Sequence, residues 1–204
     1  MTIYFAEGSA TTELSDRQLQ AALDTTLNNS DDEFVFGESL PYKVFYACTA
    51  RVNSTHIFYA GGYEASTYRS DAYLLEVDTW TWTRLDDVTY GRQHLACGRV
   101  GDKIVVAGGC CSTGLRDTSE VLSLDAITWT AGPALPTSDS FMWNSRALQL
   151  EDTFYLLGGK SGNGYLGSVF EFDAEALDWI KRDEYLMEAR QGHAVVGVPR
   201  ARNR

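Results

Sequence analysis

The sequence predicts an all-β protein assembled from repeated four-stranded units, and three observations carry that expectation. Glycine pairs close three apolar strands: Gly61-Gly62 after "HIFYA", Gly108-Gly109 after "KIVVA" and Gly158-Gly159 after "TFYLL", at spacings of 47 and 50 residues. Trp82, Trp129 and Trp179 repeat at the same spacings of 47 and 50, always 20 residues after the second glycine of the pair. Turn residues recur between the strands at matching places. A glycine gives a strand no side chain to pack and loses the most backbone entropy on folding, so its repeated use at a strand end calls for a structural reason.

Each unit reads as a meander. A first strand ("ACTARV", "ACGRV", "ALQL") passes through a short polar turn to the strand that ends in the glycine pair. Gly101-Asp102 suits a two-residue hairpin loop. A polar stretch follows, then an alternating segment closed by Asp78, Asp125 or Asp173, a tight turn and the tryptophan strand. A weaker copy precedes these: "IYFAEG" imitates "IFYAGG", and Phe34 in "FVFGESLP" takes the tryptophan place of "WTAGPALP". The expected organisation is a degenerate partial unit at 1–36, full repeats at 37–90, 91–141 and 142–187, the first strand of a further unit at 188–199, and a basic tail at 200–204.

These marks resemble the kelch repeat: a period near 50, a glycine doublet after an apolar strand, a first strand with Arg and His, and a spaced aromatic before tryptophan. The resemblance spans about residues 1–199 and is strongest over 42–182. It implies a kelch-type β-propeller of about four blades, either a closed ring or an arc of a larger propeller. In that geometry the glycine pairs let the backbone turn sharply where wedge-shaped blades crowd together. The tryptophans on the outer strands fill the space where blades diverge. An open arc is expected to leave unpaired blade faces and to self-associate.

The chain of 204 residues carries a formal charge of −11, and residues 1–36 hold seven acids against Arg17 alone. An acidic body argues against nucleic acid and anionic membrane as partners. No window approaches eighteen apolar residues, and "MTIYFAEGSATTELS" lacks a basic start, so the expectation is a cytoplasmic protein without a membrane span. The sequons at Asn28 and Asn53 read as chance occurrences without a signal peptide. Four cysteines show no Cys-x-x-Cys spacing and suggest neither zinc nor an oxidising compartment.

Features shared by all units are read as architecture, and features that break the repeat as candidates for function. Cys48 and Cys97 match as small buried core residues in "YACTARV" and "LACGRV", and His94 matches His193 as a structural histidine. Cys110-Cys111 read as ordinary loop thiols, with a vicinal disulfide as the sharper alternative. No catalytic set, metal cluster or cofactor loop is expected. The resemblance implies binding through loops that join the second and third strands and loops that link blades. The first set offers Tyr63, Tyr68, Arg69, Arg116, Asn163 and Tyr165, together with Lys160; the second offers Tyr90, Arg92, Phe141, Trp143, Tyr185 and Arg190. Arg92 and Arg190 match a position often filled by arginine in the family. Aromatics and arginines make protein-binding hot spots. The expected function is a non-catalytic module that binds a protein or peptide partner across its rim loops, without the helical ligase-docking domain that kelch adaptors carry. The alternatives are a propeller enzyme of galactose-oxidase-like or sialic-acid-related type, or a fragment of a larger kelch protein with no function of its own.

Overall fold

The computed structural model describes residues 40, 43–112, 114, 115, 117–136, 142–150 and 152–197. The unit expected at 1–36, the tail at 200–204, Arg116 and Phe141 lie outside the described residues. The described strands run in chain order as β1 (Cys48–Arg51), β2 (His56–Ala60), β3 (Tyr63–Glu64), β4 (Thr67–Tyr68), β5 (Ala72–Glu76) and β6 (Thr81–Leu85) in the first blade. The second holds β7 (Ala96–Val100), β8 (Lys103–Ala107), β9 (Cys110–Cys111), β10 (Gly114–Leu115), β11 (Ser119–Ser123) and β12 (Thr128–Ala131). The third holds β13 (Arg146–Leu150), β14 (Thr153–Ser161), β15 (Gly164–Asp173) and β16 (Asp178–Tyr185). The antiparallel sheets are ordered β1-β2-β5-β6, β7-β8-β11-β12 and β13-β14-β15-β16. These are the meanders that the repeat predicts. β3-β4 and β9-β10 are two-stranded hairpins between second and third strands, whereas in the third blade β14 and β15 run on through that hairpin past a register shift at Leu157/Gly159.

Local chemistry sets the turns. The side chain of Asn53 accepts hydrogen bonds from the backbone N–H of Thr55 and of His56, each at 2.8 Å, closing the β1–β2 turn. Asp173 does the same after β15, accepting from Glu175 and Ala176 at 2.9 Å. Trp80, Ile127 and Leu177 hold one repeat position in the left-handed region, with φ of 55, 52 and 50°.

The glycine pairs answer to two demands at once. All six have positive φ, between 58 and 110°. A Cβ on Gly61, Gly108 or Gly158 would stand 2.8, 2.4 or 2.6 Å from the carbonyl oxygen of Arg92, Met142 or Arg190, each in the segment leading into the following blade. The second glycine then donates its N–H to that same carbonyl: Gly62 to Arg92 at 2.8 Å, Gly109 to Met142 at 2.7 Å and Gly159 to Arg190 at 2.7 Å. Only a residue without a side chain permits both the turn and the approach.

Beside these contacts runs a second chain of hydrogen bonds. His94 donates its N–H to Tyr46 at 2.8 Å, Asn144 to His94 at 3.0 Å and Gly192 to Asn144 at 3.0 Å. All four residues have φ near +60° (60, 55, 56 and 65°) and therefore share one repeat position.

That position corrects two alignments. The register pairs Cys48 with Ala60, Ala96 with Ala107 and Arg146 with Leu157. Cys48 is therefore equivalent to Ala96, and Cys97 stands one residue further on. Successive strand residues face opposite sides, so Cys48 points towards the second blade and Cys97 back towards the first. They form a disulfide with a Cα–Cα distance of 5.8 Å, in place of the unbonded thiols expected. Disulfides belong to oxidising surroundings, so the reading that none was required is withdrawn. Likewise His94 is equivalent to Gly192; His193 stands at the next position, with Leu95 and Ser145, and like them is buried.

Two apolar clusters fill the spaces between blades. Ala50, Phe58, Ala60 and Ala72 pack against Leu95, Ile104, Val106 and Leu122; Ala96, Val105, Ala107 and Val121 pack against Met142, Phe154, Leu156, Phe170 and Phe172. Trp129 closes the outer end of the first, edge-on to Phe58 at 6.1 Å and donating its Nε1–H to the carbonyl of Asp86 at 2.8 Å. Trp82 meets Tyr59 and Tyr73, and Trp179 meets Phe154 and Phe172. Residues 188–197, expected to form the first strand of another blade, belong to none of the described sheets. This segment is held by the backbone bonds of Arg190 and Gly192, and by Arg146 Nε donating to the carbonyl of His193.

Candidate binding face

Paired backbone bridges bring the two expected loop sets together. Phe45 bridges Tyr63, Gln93 bridges Cys110 and Trp143 bridges Lys160, so each blade's lead-in segment lies against its own second-to-third-strand hairpin. The loops of three blades thus share one end of the fold, around the hydrogen-bonded chain Tyr46–His94–Asn144–Gly192.

An aromatic and cationic path crosses that end. Phe45 and Tyr46 are 62% and 56% exposed. The Tyr46 ring stacks on His94 with centroids 4.0 Å apart, and His94 meets Trp143 edge-on at 5.2 Å. Lys160 Nζ lies 5.6 Å from the Trp143 ring and 5.8 Å from that of Tyr165, which is itself 59% exposed. Cation–aromatic contacts of this kind fix a lysine head group over a flat apolar surface. Burial holds the His94 imidazole below the ordinary histidine range; a hydrogen bond that its ring makes to the Asn144 side chain opposes this, and the charge of Arg146 adds to it. Around the path, Tyr63 and Tyr68 pack edge-on at 5.0 Å, Asn163 is exposed at the tip of the third hairpin, and Tyr90 is exposed on the second blade's lead-in.

The structure separates the remaining candidates. Arg69 is engaged with Asp71 at 2.7 Å and Glu64 at 3.7 Å. Arg92 is 0% exposed and leaves the set of partner-facing residues. Its Nη1 donates to the carbonyls of Gly108 and Thr118 at 3.2 and 3.3 Å, and its Nη2 meets Glu120 Oε1 at 2.6 Å. Glu120 also accepts the backbone N–H and the hydroxyl of Thr89 at 2.8 and 2.7 Å, tying the linking loop to β11. A buried charge survives only when paired and hydrogen-bonded in this way. Arg190, at the equivalent position, is exposed and bonds Glu188 at 3.1 Å. Tyr185, 76% exposed, lines a groove on the side of the third blade, away from the loop path. Cys110 and Cys111 are buried thiols rather than a vicinal disulfide, and burial pushes the Cys110 thiol up.

Sequence reasoning missed Phe45, Tyr46 and Asn144, and took His94 as structural. The available signal was that one repeat position carries Tyr, His, Asn and Gly in turn, a conserved backbone with a variable side chain. Among the described residues no three of His, Cys, Asp and Glu gather as a metal-binding group, and no helix is long and apolar enough to cross a membrane.

Glycine doublets that dock the following blade, a tryptophan on each fourth strand and meanders set side by side define a kelch-type β-propeller. The comparisons agree. Kelch-like protein 34 of Homo sapiens is 29% identical over 118 residues, which are 55% of this chain and 18% of that protein. Kelch domain-containing protein 10 of Rattus norvegicus is 20% identical over 171 residues, 78% of this chain and 42% of that protein. The solved structure of YjhT, a kelch-type propeller, matches with a TM-score of 0.64 at 14% identity, over 76% of this chain and 56% of that one. No protein-family model matches the sequence. The chain thus has the kelch-type β-propeller fold and spans less than half the length of these curated relatives.

Proposed function

We propose that the chain is a non-catalytic protein-binding module that holds a partner polypeptide over its loop face. The observation that supports this reading is the continuous path Phe45–Tyr46–His94–Trp143–Lys160–Tyr165, drawn from three blades and partly exposed along its length. Aromatic rings supply large contact area at low conformational cost, and such residues dominate the energetics of protein interfaces. The residue types gathered there suit recognition: flat apolar rings, one lysine and an amide. The kelch names of the relatives accord with the same class.

The test is a paired capture experiment. Wild-type protein and a Tyr46→Asn/Trp143→Ala/Tyr165→Ala variant serve as baits, and each recovered protein is then titrated against both by calorimetry. Asn is chosen at 46 because it tolerates positive φ. The reading expects at least one partner whose affinity falls by a hundredfold or more in the variant, from about 1–2 kcal/mol or more per anchor, at an unchanged melting temperature. Partners that bind both baits equally overturn it. Turnover of a small substrate by the wild type alone would favour the propeller-enzyme alternative.

A further inference from the structure

The turn from first to second strand breaks the repeat in the first blade. Val100 pairs with Lys103 and Leu150 with Thr153, so two residues join those strands in the second and third blades. In the first blade Arg51 pairs with Ile57, and Asn53, Ser54 and Thr55 make a longer turn, closed where Val52 donates its N–H to the His56 carbonyl at 2.9 Å. A feature that departs from the repeat is a candidate for function. These three residues spell Asn-x-Thr without proline, the acceptor signal for an N-linked sugar. Asn53 and Ser54 are exposed. Asn53 Oδ1 accepts the Thr55 hydroxyl at 3.1 Å as well as the N–H groups of Thr55 and His56. All three bonds use the carboxamide oxygen. An N-linked sugar attaches through Nδ2 instead, so attachment leaves the turn intact. Asn53 also stands beside a cleft of about 360 Å³ walled by Val52, Leu74, Leu124 and Ile127, which gives the first sugar room.

We infer that Asn53 is an N-glycosylation site, on a chain that matures in an oxidising lumenal compartment. The expectation of a chance sequon in a cytoplasmic chain is set aside on a second, independent observation: the Cys48–Cys97 disulfide. Disulfides form and persist in the same lumen in which N-linked sugars are added. The remaining described cysteines are compatible with that setting. Cys110 and Cys111 are only 9% and 8% exposed, and burial pushes the Cys110 thiol up, so little reactive thiolate meets an oxidant. The transfer is a substitution at an anomeric carbon. The bond from Asn53 Nδ2 to C1 of the sugar forms, and the C1–O bond of a polyprenyl-diphosphate-linked oligosaccharide breaks. The diphosphate leaves with the electron pair, the amide gives up one proton, and nothing is oxidised or reduced. The sugar stands at the opposite end of β2 from the β3–β4 hairpin, clear of the loop path. The inference therefore does not rest on the proposed function.

Two measurements test the inference. In the first, the full chain is produced in eukaryotic cells behind a cleavable secretory leader, as wild type, Thr55→Ala and Thr55→Ser, and weighed before and after peptide N-glycosidase treatment. Thr55→Ala keeps Asn53 and both of its backbone bonds, so the turn survives, and Thr55→Ser keeps the hydroxyl that the acceptor signal requires. Wild type and Thr55→Ser are expected to lose an oligosaccharide mass on treatment, with Asn53 converted to aspartate, and Thr55→Ala to carry no sugar there. In the second, the protein purified from its source cells is digested without reduction. Expected are a glycosidase-sensitive peptide spanning residue 53 and a bridged pair of peptides holding Cys48 and Cys97. Secreted wild type with a bare Asn53, sugar on Asn28 alone, sugar at Asn53 that persists in Thr55→Ala, or source protein with a bare Asn53 would each overturn the inference.

Discussion

β8 and β14 are the same strand of successive blades, yet they are buried differently. In "KIVVA" four consecutive residues are buried, because the second blade is covered on both sides; over Thr153–Leu157 of β14 burial alternates residue by residue, because only one side of the third blade is covered by described residues. The same contrast divides two arginines that share a repeat position. Arg92 points into the second blade and finds two carbonyls and Glu120, whereas Arg190 lies outside at the lead-in that follows the third. A repeat position therefore fixes a backbone, not an environment. What surrounds a side chain depends on which strands stand beside it.

The contrast breaks most severely at the buried pair. Removing one partner, by Glu120→Ala or Arg92→Leu, leaves an uncompensated buried charge and is expected to lower stability by about 3–5 kcal/mol. Arg190→Leu is exposed and should change it by no more than about 0.5 kcal/mol. Denaturant titration of the three variants measures both. The double replacement Arg92→Met/Glu120→Leu should lose less than either single change, since no lone charge remains.

Next in size is the staple between first and second blades. The Cys48–Cys97 bridge closes a loop of 49 residues, and its removal by Cys48→Ser/Cys97→Ser is expected to destabilise by about 2–4 kcal/mol. Reductant should reproduce most of that loss in wild type and have little effect on the variant. The third blade carries Arg146 and Ala147 at the corresponding places and has no such bridge to lose.

The glycines divide in the same manner. Gly108→Ala puts a Cβ in the left-handed region and 2.4 Å from the Met142 carbonyl, so a loss of roughly 2 kcal/mol or more is expected. Gly101 has φ of 57° with nothing within 4 Å, so Gly101→Ala meets only the conformational penalty, about 1 kcal/mol. Equal losses in thermal unfolding would mean that blade docking adds nothing to the role of the doublet.

Most of the architecture was legible in the sequence because it is written in residues whose backbone demands are narrow. Glycine pairs, Gly101-Asp102 and the aspartates before the tryptophan turns report φ and hydrogen-bond geometry directly. The aromatic path of the loop face was legible only in part. Trp143 and Tyr165 stood out as aromatics in loops, but Tyr46 and His94 sit at left-handed positions that nothing in their side chains announces. The disulfide was hidden by a one-residue slip: "YACTARV" and "LACGRV" look aligned, and only the strand register shows that their cysteines face opposite ways. Arg92 was misplaced for a related reason, because the acceptors of its two terminal nitrogens are 16 to 28 residues away in the chain.

The smallest expected effect distinguishes His94 from the residues that share its place, Tyr46, Asn144 and Gly192, since it alone among them titrates near neutrality. Burial lowers its folded-state pKa, so as pH falls the unfolded chain takes the proton first. The unfolded state then binds more protons than the folded one, and stability drops as pH falls below about 6.5. The slope from this one group cannot exceed about 1.4 kcal/mol per pH unit. His94→Asn preserves the positive φ, as Asn144 does at the equivalent position, and removes the titration. Comparing wild type and His94→Asn by denaturant titration at pH 7.5 and pH 5.5 isolates the contribution. The variant should lose less stability than wild type on acidification, and parallel losses would mean that His94 is as well solvated in the folded protein as in the unfolded chain.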